Sequence, residues 1–181
     1  MNNMTIPRPS PDEYAPYYGA YVDLLPDVDV LQLLAEQKEE TLALLRGLAD
    51  EDAGFAYAPG KWSIKEVIGH IIDTERVFAY RGLCFARGDN TPLPGFEQDD
   101  YVLGGDFNAR SRDNLAAEFE HLRMSNIYLF STWSAAVQAR RGVANNKSVT
   151  ARAIPWILAG HERHHLNVLR ERYLPGLAQH G

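Results

Sequence analysis

Several features of common protein classes are missing from this chain. It has one cysteine, Cys84, so no disulfide can form within it. No apolar run approaches the roughly 20 residues of a membrane-spanning helix, which excludes a membrane partner of that kind. The formal net charge is −6. Lysine and arginine are dispersed among acids instead of gathered into a stripe, which argues against nucleic acid as a partner. The opening Met1-Asn-Asn-Met-Thr-Ile-Pro7 carries neither the charged nor the apolar region of a secretory signal. No strand-like alternation of useful length is visible, and no internal repeat. The expectation is a soluble, cytoplasmic protein.

What is present fits one domain: 181 residues, 45% of them hydrophobic, suffice for a single buried core. Residues 1–28 stand apart, with Pro7, Pro9, Pro11, Pro16 and Pro26 interleaved with Tyr14, Tyr17, Tyr18 and Tyr21. They have no helical period, and their aromatics predict an ordered arm packed on the domain of residues 29–181. Four helical patterns follow. The first runs from the N-cap candidate Asp29 to about Ala49, with Leu31, Leu34, Leu42 and Leu45 inward. Lys38 falls in the same stripe; it either snorkels to an edge, the preferred reading, or reaches into a site. The second opens at Ser63 in a Ser-Ile-Lys-Glu capping box and runs to about Arg87, before Gly88. The third spans about Ser111 to Arg140, with Leu115, Phe119, Leu122, Asn126, Leu129 and Trp133 inward. The fourth spans about Ala151 to Tyr173 and ends before Pro175-Gly176.

This order predicts an all-α fold, a four-helix bundle. The first two helices and the last two are joined by short linkers. The stretch from Asp89 to Arg110 is longer than a hairpin connection and can cross the length of the bundle. Its length points to an up-down-down-up course with the second and third helices parallel.

Three histidines sit where apolar residues are expected. At about 100° per residue, Ile154, Ile157, Leu158, His161, His165, Val168 and Leu169 form one stripe of the fourth helix. On the second, His70 is centred among Ser63, Val67, Thr74 and Val77. Counting about 1.5 Å per residue, the rings meet at similar depth if these helices are antiparallel. Buried imidazoles need partners for their nitrogens, and a divalent metal is one, with positions left for water, a thiolate or substrate. Zinc and nickel accept such nitrogen ligands, and iron or manganese also can.

Other readings use the same residues. His161-Glu162-Arg163-His164-His165 matches the H-E-x-x-H of zinc proteases with Glu162 as base. However, Val168 and Glu171 stand where a metzincin needs glycine and histidine, and Glu162 lies about 80° off the stripe, toward an edge. Glu118-x-x-His121 with Glu162-x-x-His165 resembles a di-iron pair, but His121 lies about 120° from its helix's inward stripe. Without metal, the histidines would hydrogen-bond to Asn126, Thr74 and one another. Asp73 and Asn126 are candidates for orienting the ligands from behind, with a surface pair to Arg76 and a helix–helix hydrogen bond as their ordinary alternatives. His164 is read as non-ligating, Cys84 as too distant and packed, and His180 as solvated.

Lys61-Trp-Ser-Ile-Lys-Glu-Val-Ile-Gly-His-Ile-Ile-Asp-Thr-Glu-Arg and Gly160-His-Glu-Arg-His-His-Leu-Asn-Val-Leu resemble the DinB/YfiT-like superfamily of metal-binding four-helix proteins. The resemblance covers about Leu31 to Tyr173 and leaves the arm outside. It implies a metal triad at His70, His161 and His165, with zinc or nickel common, in a homodimer. For activity it implies a metal-dependent enzyme on a small molecule, either thiol S-transferase-like with a low-molecular-weight thiol or hydrolytic. The alternative is a non-catalytic metal- or ligand-binding stress protein.

Overall fold

The computed structural model describes residues 5–180, without the side chains of Gln179 and His180. The expectations for Met1–Met4 and for the His180 side chain lie outside the described residues. The chain is mostly helical, and four long helices form its body.

Before them, the arm makes single turns at Pro11–Glu13 and Pro16–Tyr18 and a short helix α1 (Gly19–Val22). Ile6, Tyr14, Tyr18, Val22 and Leu25 are buried in the core. Gly160 permits this docking, because a Cβ there would lie 2.3 Å from the Tyr21 carbonyl oxygen. Glu13 fastens the arm: it accepts hydrogen bonds from Thr150 Oγ1 (2.8 Å) and the Arg152 guanidinium.

Helix α2 (Val30–Arg46) starts where Asp29 accepts the Leu31 N–H and ends at Gly47. Helix α3 (Ile64–Arg87) carries the full capping box of Ser63 and Glu66, and Gly88 closes it at φ 78°, a backbone state that costs glycine little. The crossover beyond it holds helix α4 (Gln98–Gly105) and a turn at Phe107–Ala109. Helix α5 (Arg112–Ser131) is capped by Ser111, as the sequence predicts.

Three expectations need correction. Helix α5 stops at Ser131, not near Arg140. The Ser131 and Thr132 hydroxyls donate back to the carbonyls of Tyr128 and Leu129, competing with helix propagation, and Ser134 caps a separate turn, α6 (Ala135–Gln138). Second, the linker to the last helix is a hairpin, although no strand-like alternation is visible in the sequence. Strand β1 (Arg141–Ala144) pairs antiparallel with β2 (Lys147–Thr150), Arg141 facing Thr150. Asn145 and Asn146 lie at φ 49° and 58°, the left-handed states of a two-residue hairpin turn. Third, the helical run that opens with α7 (Ala153–Val168) does not stop before Pro175. It widens into a π-helical stretch at Leu169–Tyr173 and resumes as α8 (Leu174–His180). The register shift places Pro175 in the first turn of the new segment, where its missing N–H is tolerated.

Helix α2 packs on α5 and α7, and α3 packs on the same two. The buried apolar residues fall into two clusters. One gathers the arm, the hairpin, the end of α3 and the start of α7. The other gathers the start of α3 and of α5, the end of α2 and the last turns of α7. Between them runs a buried polar layer of Gln37, Thr41, Glu75, Arg123, Asn126 and Glu162, with His70, Thr74 and His161 beside it. The candidate site lies in this layer.

Candidate metal centre

The structure brings His70, His161 and His165 together. Nε2 of His161 lies 2.9 Å from Nε2 of His70 and 3.1 Å from Nε2 of His165. One possible donor atom from each ring falls within 4.8 Å of the others. His70 and His161 are buried and His165 is half-buried. Helical spacing explains the arrangement: i and i+4 on α7 share a face, and α3 supplies the third ring from across the interface. Trp62, just before the Ser63 cap, tilts over His70 with ring centres 4.9 Å apart. Tyr21 of the arm meets His161 edge-on at 5.5 Å.

Burial holds all three imidazoles neutral near pH 7. It pushes His70 down to about 4, with a smaller contribution from His164. His165 falls to about 3, and His161 lies well below the ordinary value for the same leading reason. Neutral rings offer lone pairs. His161 Nε2 has one in-plane orbital, carrying either a proton or a lone pair, so it cannot satisfy two in-plane partners at once. Thr74 Oγ1 is buried without a hydrogen-bond partner, and Asn126 donates to Glu75 at 3.1 Å. Both partners that a metal-free network would recruit are therefore not joined to the histidines. An all-nitrogen donor set suits zinc or nickel better than calcium or magnesium, so the residues present fit a transition-metal ion.

The other sequence candidates fall elsewhere. Asp73 pairs with Arg76 at 3.8 Å. Glu118 is taken by Arg76 and Arg110, and His121 is exposed with Nδ1 on the Ala117 carbonyl, which removes the di-iron pattern. Lys38 reaches the exposed Glu39 at 2.9 Å and so runs to an edge. His164 meets the rings of Tyr21 and His165 edge-on. Cys84 is buried.

Sequence reasoning missed the ionic lock beside the site. Glu162 faces inward, not toward an edge. Its carboxylate accepts from Thr41 Oγ1 at 2.6 Å and Arg123 Nη1 at 2.7 Å. Arg123 also binds Glu75 through Nε and Nη2 at 2.8 and 2.7 Å, and donates to the Leu34 carbonyl at 3.0 Å. These three charged side chains are each about 1% exposed. Burial alone would depress the guanidinium, but the adjoining carboxylates of Glu162 and Glu75 hold it above its ordinary range. On α5 the buried arc therefore runs through Arg123 and Phe130, while Leu122 and Leu129 are half-buried. The available signal was opposite charges falling on inward arcs of three different helices.

Two cavities adjoin the cluster. One, of about 370 Å³, is lined by His70, His161 and Thr74 under Tyr18, Tyr21 and Phe96. The other, of about 340 Å³, is lined by His165, Trp62, Tyr57, Tyr173 and Lys61.

The model of the DinB superfamily matches residues 33–169. A search of curated proteins found no match in sequence. Among solved structures, the fold is similar to YfiT from Bacillus subtilis, described as a probable metal-dependent hydrolase with an unusual four-helix bundle topology. That likeness has a TM-score of 0.72 at 15% identity and covers 84% of this chain and 86% of that one. It is also similar to a mycothiol-dependent maleylpyruvate isomerase, with a TM-score of 0.65 at 15% identity, covering 80% of this chain and 61% of that one. A histidine-to-alanine mutant of that isomerase matches equally.

Proposed function

From the premise that the chain belongs to the DinB superfamily, we propose that it is a metal-dependent enzyme acting on a small molecule, thiol S-transferase-like or hydrolytic. The observation that carries this is the meeting of three neutral imidazole nitrogens beside two cavities. His70, His161 and His165 would hold the ion, zinc or nickel before iron or manganese. Such an ion supplies Lewis-acid chemistry, lowering the pKa of water or of a thiol. The chain's own groups do the rest. Trp62 and Tyr21 cover two sides of the cluster and limit water, and Thr74 offers a free hydroxyl beside His70. Glu162 is not the base of a protease, because Arg123 and Thr41 hold its carboxylate.

The same engagement supports a second reading, a non-catalytic metal- or ligand-binding stress protein. The carboxylates nearest the histidines in sequence, Glu162 and Asp73, are both committed to arginines. Turnover of an electrophile with a thiol, or hydrolysis of an ester, by metal-loaded protein tests the enzyme reading. Turnover lost in His165→Ala supports it; stoichiometric metal binding without turnover of either substrate class supports the binder.

Finer features belong to the same proposal. We take residues 1–28 as an arm and 29–181 as the metal-binding domain. An up-down-down-up course is supported by the order of contacts. Gln37 meets Ala159 and Thr41 meets Glu162, while Leu34 meets Arg123 and Arg46 meets Glu120. Among the described residues no helix is long and apolar enough to cross a membrane. A cytoplasmic homodimer is the expected state, and sedimentation tests the dimer.

A further inference from the structure

A third cavity, of about 300 Å³, lies between α3 and the crossover, and no histidine lines it. Val77, Tyr80, Phe96 and Tyr101 wall it, Arg76 and Arg81 also line it, and no acidic residue does. Arg81 follows His70 on α3 by eleven residues, roughly 16 Å at 1.5 Å per residue. Three cationic side chains are buried among the described residues: Lys65, Arg81 and Arg123. Lys65 pairs with Asp50 at 3.0 Å, and Arg123 pairs with Glu75 and Glu162. Arg81, 4% exposed, pairs with no carboxylate among the described residues. Its Nη2 donates to the Pro94 carbonyl at 2.8 Å, and its guanidinium lies over the rings of Phe78 (4.9 Å) and Phe96 (5.9 Å). The neighbouring Tyr18 phenol brings no negative charge, because burial raises its pKa. A carbonyl dipole and two ring faces ease a buried unit charge but do not neutralise it. Arg76, by contrast, is already held by Asp73 and Glu118.

We propose that this cavity binds a small aromatic monocarboxylate, its carboxylate on Arg81 and its ring among Tyr80, Phe96 and Tyr101. Charge sets the first half of the assignment. One uncompensated guanidinium answers one negative charge, and a phosphate dianion would bring a second into apolar walls. The rings set the second half. Tyr80 and Tyr101 stay exposed around the space, and Phe96 meets Tyr101 with ring centres 5.1 Å apart. The pocket is preformed, as small-molecule sites usually are. Leu93 pins its outer side to the hairpin, donating to the Val143 carbonyl at 2.9 Å and accepting from the Asn145 N–H at 3.0 Å. Phe96 is the partition from the cavity beside His70, and the two spaces share no charged residue. No metal takes part, so the proposal stands apart from the reading of the histidine cluster.

Ligand-detected NMR titration of metal-free protein at neutral pH tests this. 3-Phenylpropionate should bind at least about tenfold more tightly than 3-phenylpropan-1-ol, the worth of a charge-assisted hydrogen bond. Phenyl phosphate should bind no better than the carboxylate. Arg81→Gln should remove the preference for the acid over the alcohol. Val77→Trp, which keeps Arg81 and fills the space, should weaken both, and His165→Gln should change neither. Circular dichroism shows whether each variant folds. If Arg81→Gln does not, the acid–alcohol comparison on the natural sequence and Val77→Trp decide. Equal affinity for acid and alcohol overturns the proposal, as does tighter binding of phenyl phosphate. An acid preference that survives in folded Arg81→Gln, or binding untouched by Val77→Trp, contradicts it too. Loss of binding in His165→Gln would move the ligand to the histidine cluster and equally overturn the assignment.

Discussion

Arg123 gives the sharpest test of how the bundle is held at the level of the site. Its guanidinium is about 1% exposed and makes charge-assisted bonds of 2.7–2.8 Å to Glu75 and Glu162, plus one to the Leu34 carbonyl. Those partners come from α3, α7 and α2, so one side chain ties all four long helices. Arg123→Met fills most of the volume but strands two carboxylates in the core. Breaking a buried ion network in this way costs about 3–5 kcal/mol. For a chain of this size that is a fall in Tm of roughly 6–20 °C. Urea denaturation of metal-free protein at neutral pH measures it, with the m-value as a check on two-state behaviour. The triple replacement Glu75→Leu, Arg123→Met, Glu162→Leu should recover most of the loss, because no buried charge is left unpaired. A loss below about 1 kcal/mol for Arg123→Met alone, at unchanged m, would refute the reasoning, since it would place the network in solvent.

Other perturbations have equally definite outcomes. His70 at about 4 and His165 at about 3 lie below the ordinary 6.5, so the unfolded chain binds more protons in that window. Metal-free protein should be fully stable above pH 6.5 and lose stability as pH falls, by up to about 1.4 kcal/mol per pH unit per histidine; a flat pH profile of the urea midpoint between pH 6 and 4 contradicts this. Ser63→Ala removes the acceptor for the Glu66 N–H and the bond to Asn108, and should cost about 1 kcal/mol by the same assay. Gly160→Ala pushes a Cβ against the Tyr21 carbonyl, so a loss of about 1–3 kcal/mol should accompany faster proteolysis of the arm.

The features legible in sequence were those set by local rules. Asp29, Ser63 and Ser111 mark helix starts because a side-chain oxygen and a free N–H must meet within three residues. The proximity of His70, His161 and His165 followed from stripe geometry, since a polar ring centred on an apolar face has to meet its match across the interface. What escaped was set by tertiary pairing. Arg123, Glu75 and Glu162 each look like surface residues alone, and burial is tolerable only because all three meet. The hairpin escaped for a different reason. Its strands of four residues bury only Gly142 and Ala144 on one side and Val149 and Thr150 on the other, too short for alternation to register. The Asn145-Asn146 pair, two adjacent residues tolerant of positive φ, was the available signal. The end of α7 was hidden because a π-helical stretch resets the register that makes proline a breaker.

The central claim is that the three histidines form one metal site, and metal stoichiometry tests it most directly. Protein stripped with chelator and titrated with zinc or nickel in a calorimeter should bind about one ion per chain. Elemental analysis after desalting gives an independent count. Replacing either the α3 ligand (His70→Gln) or an α7 ligand (His165→Gln) should weaken binding by more than about 100-fold, since loss of a mere orienting partner already costs 10–100-fold. Binding near zero per chain after repletion, or His70→Gln retaining the affinity of the natural sequence, would contradict the account.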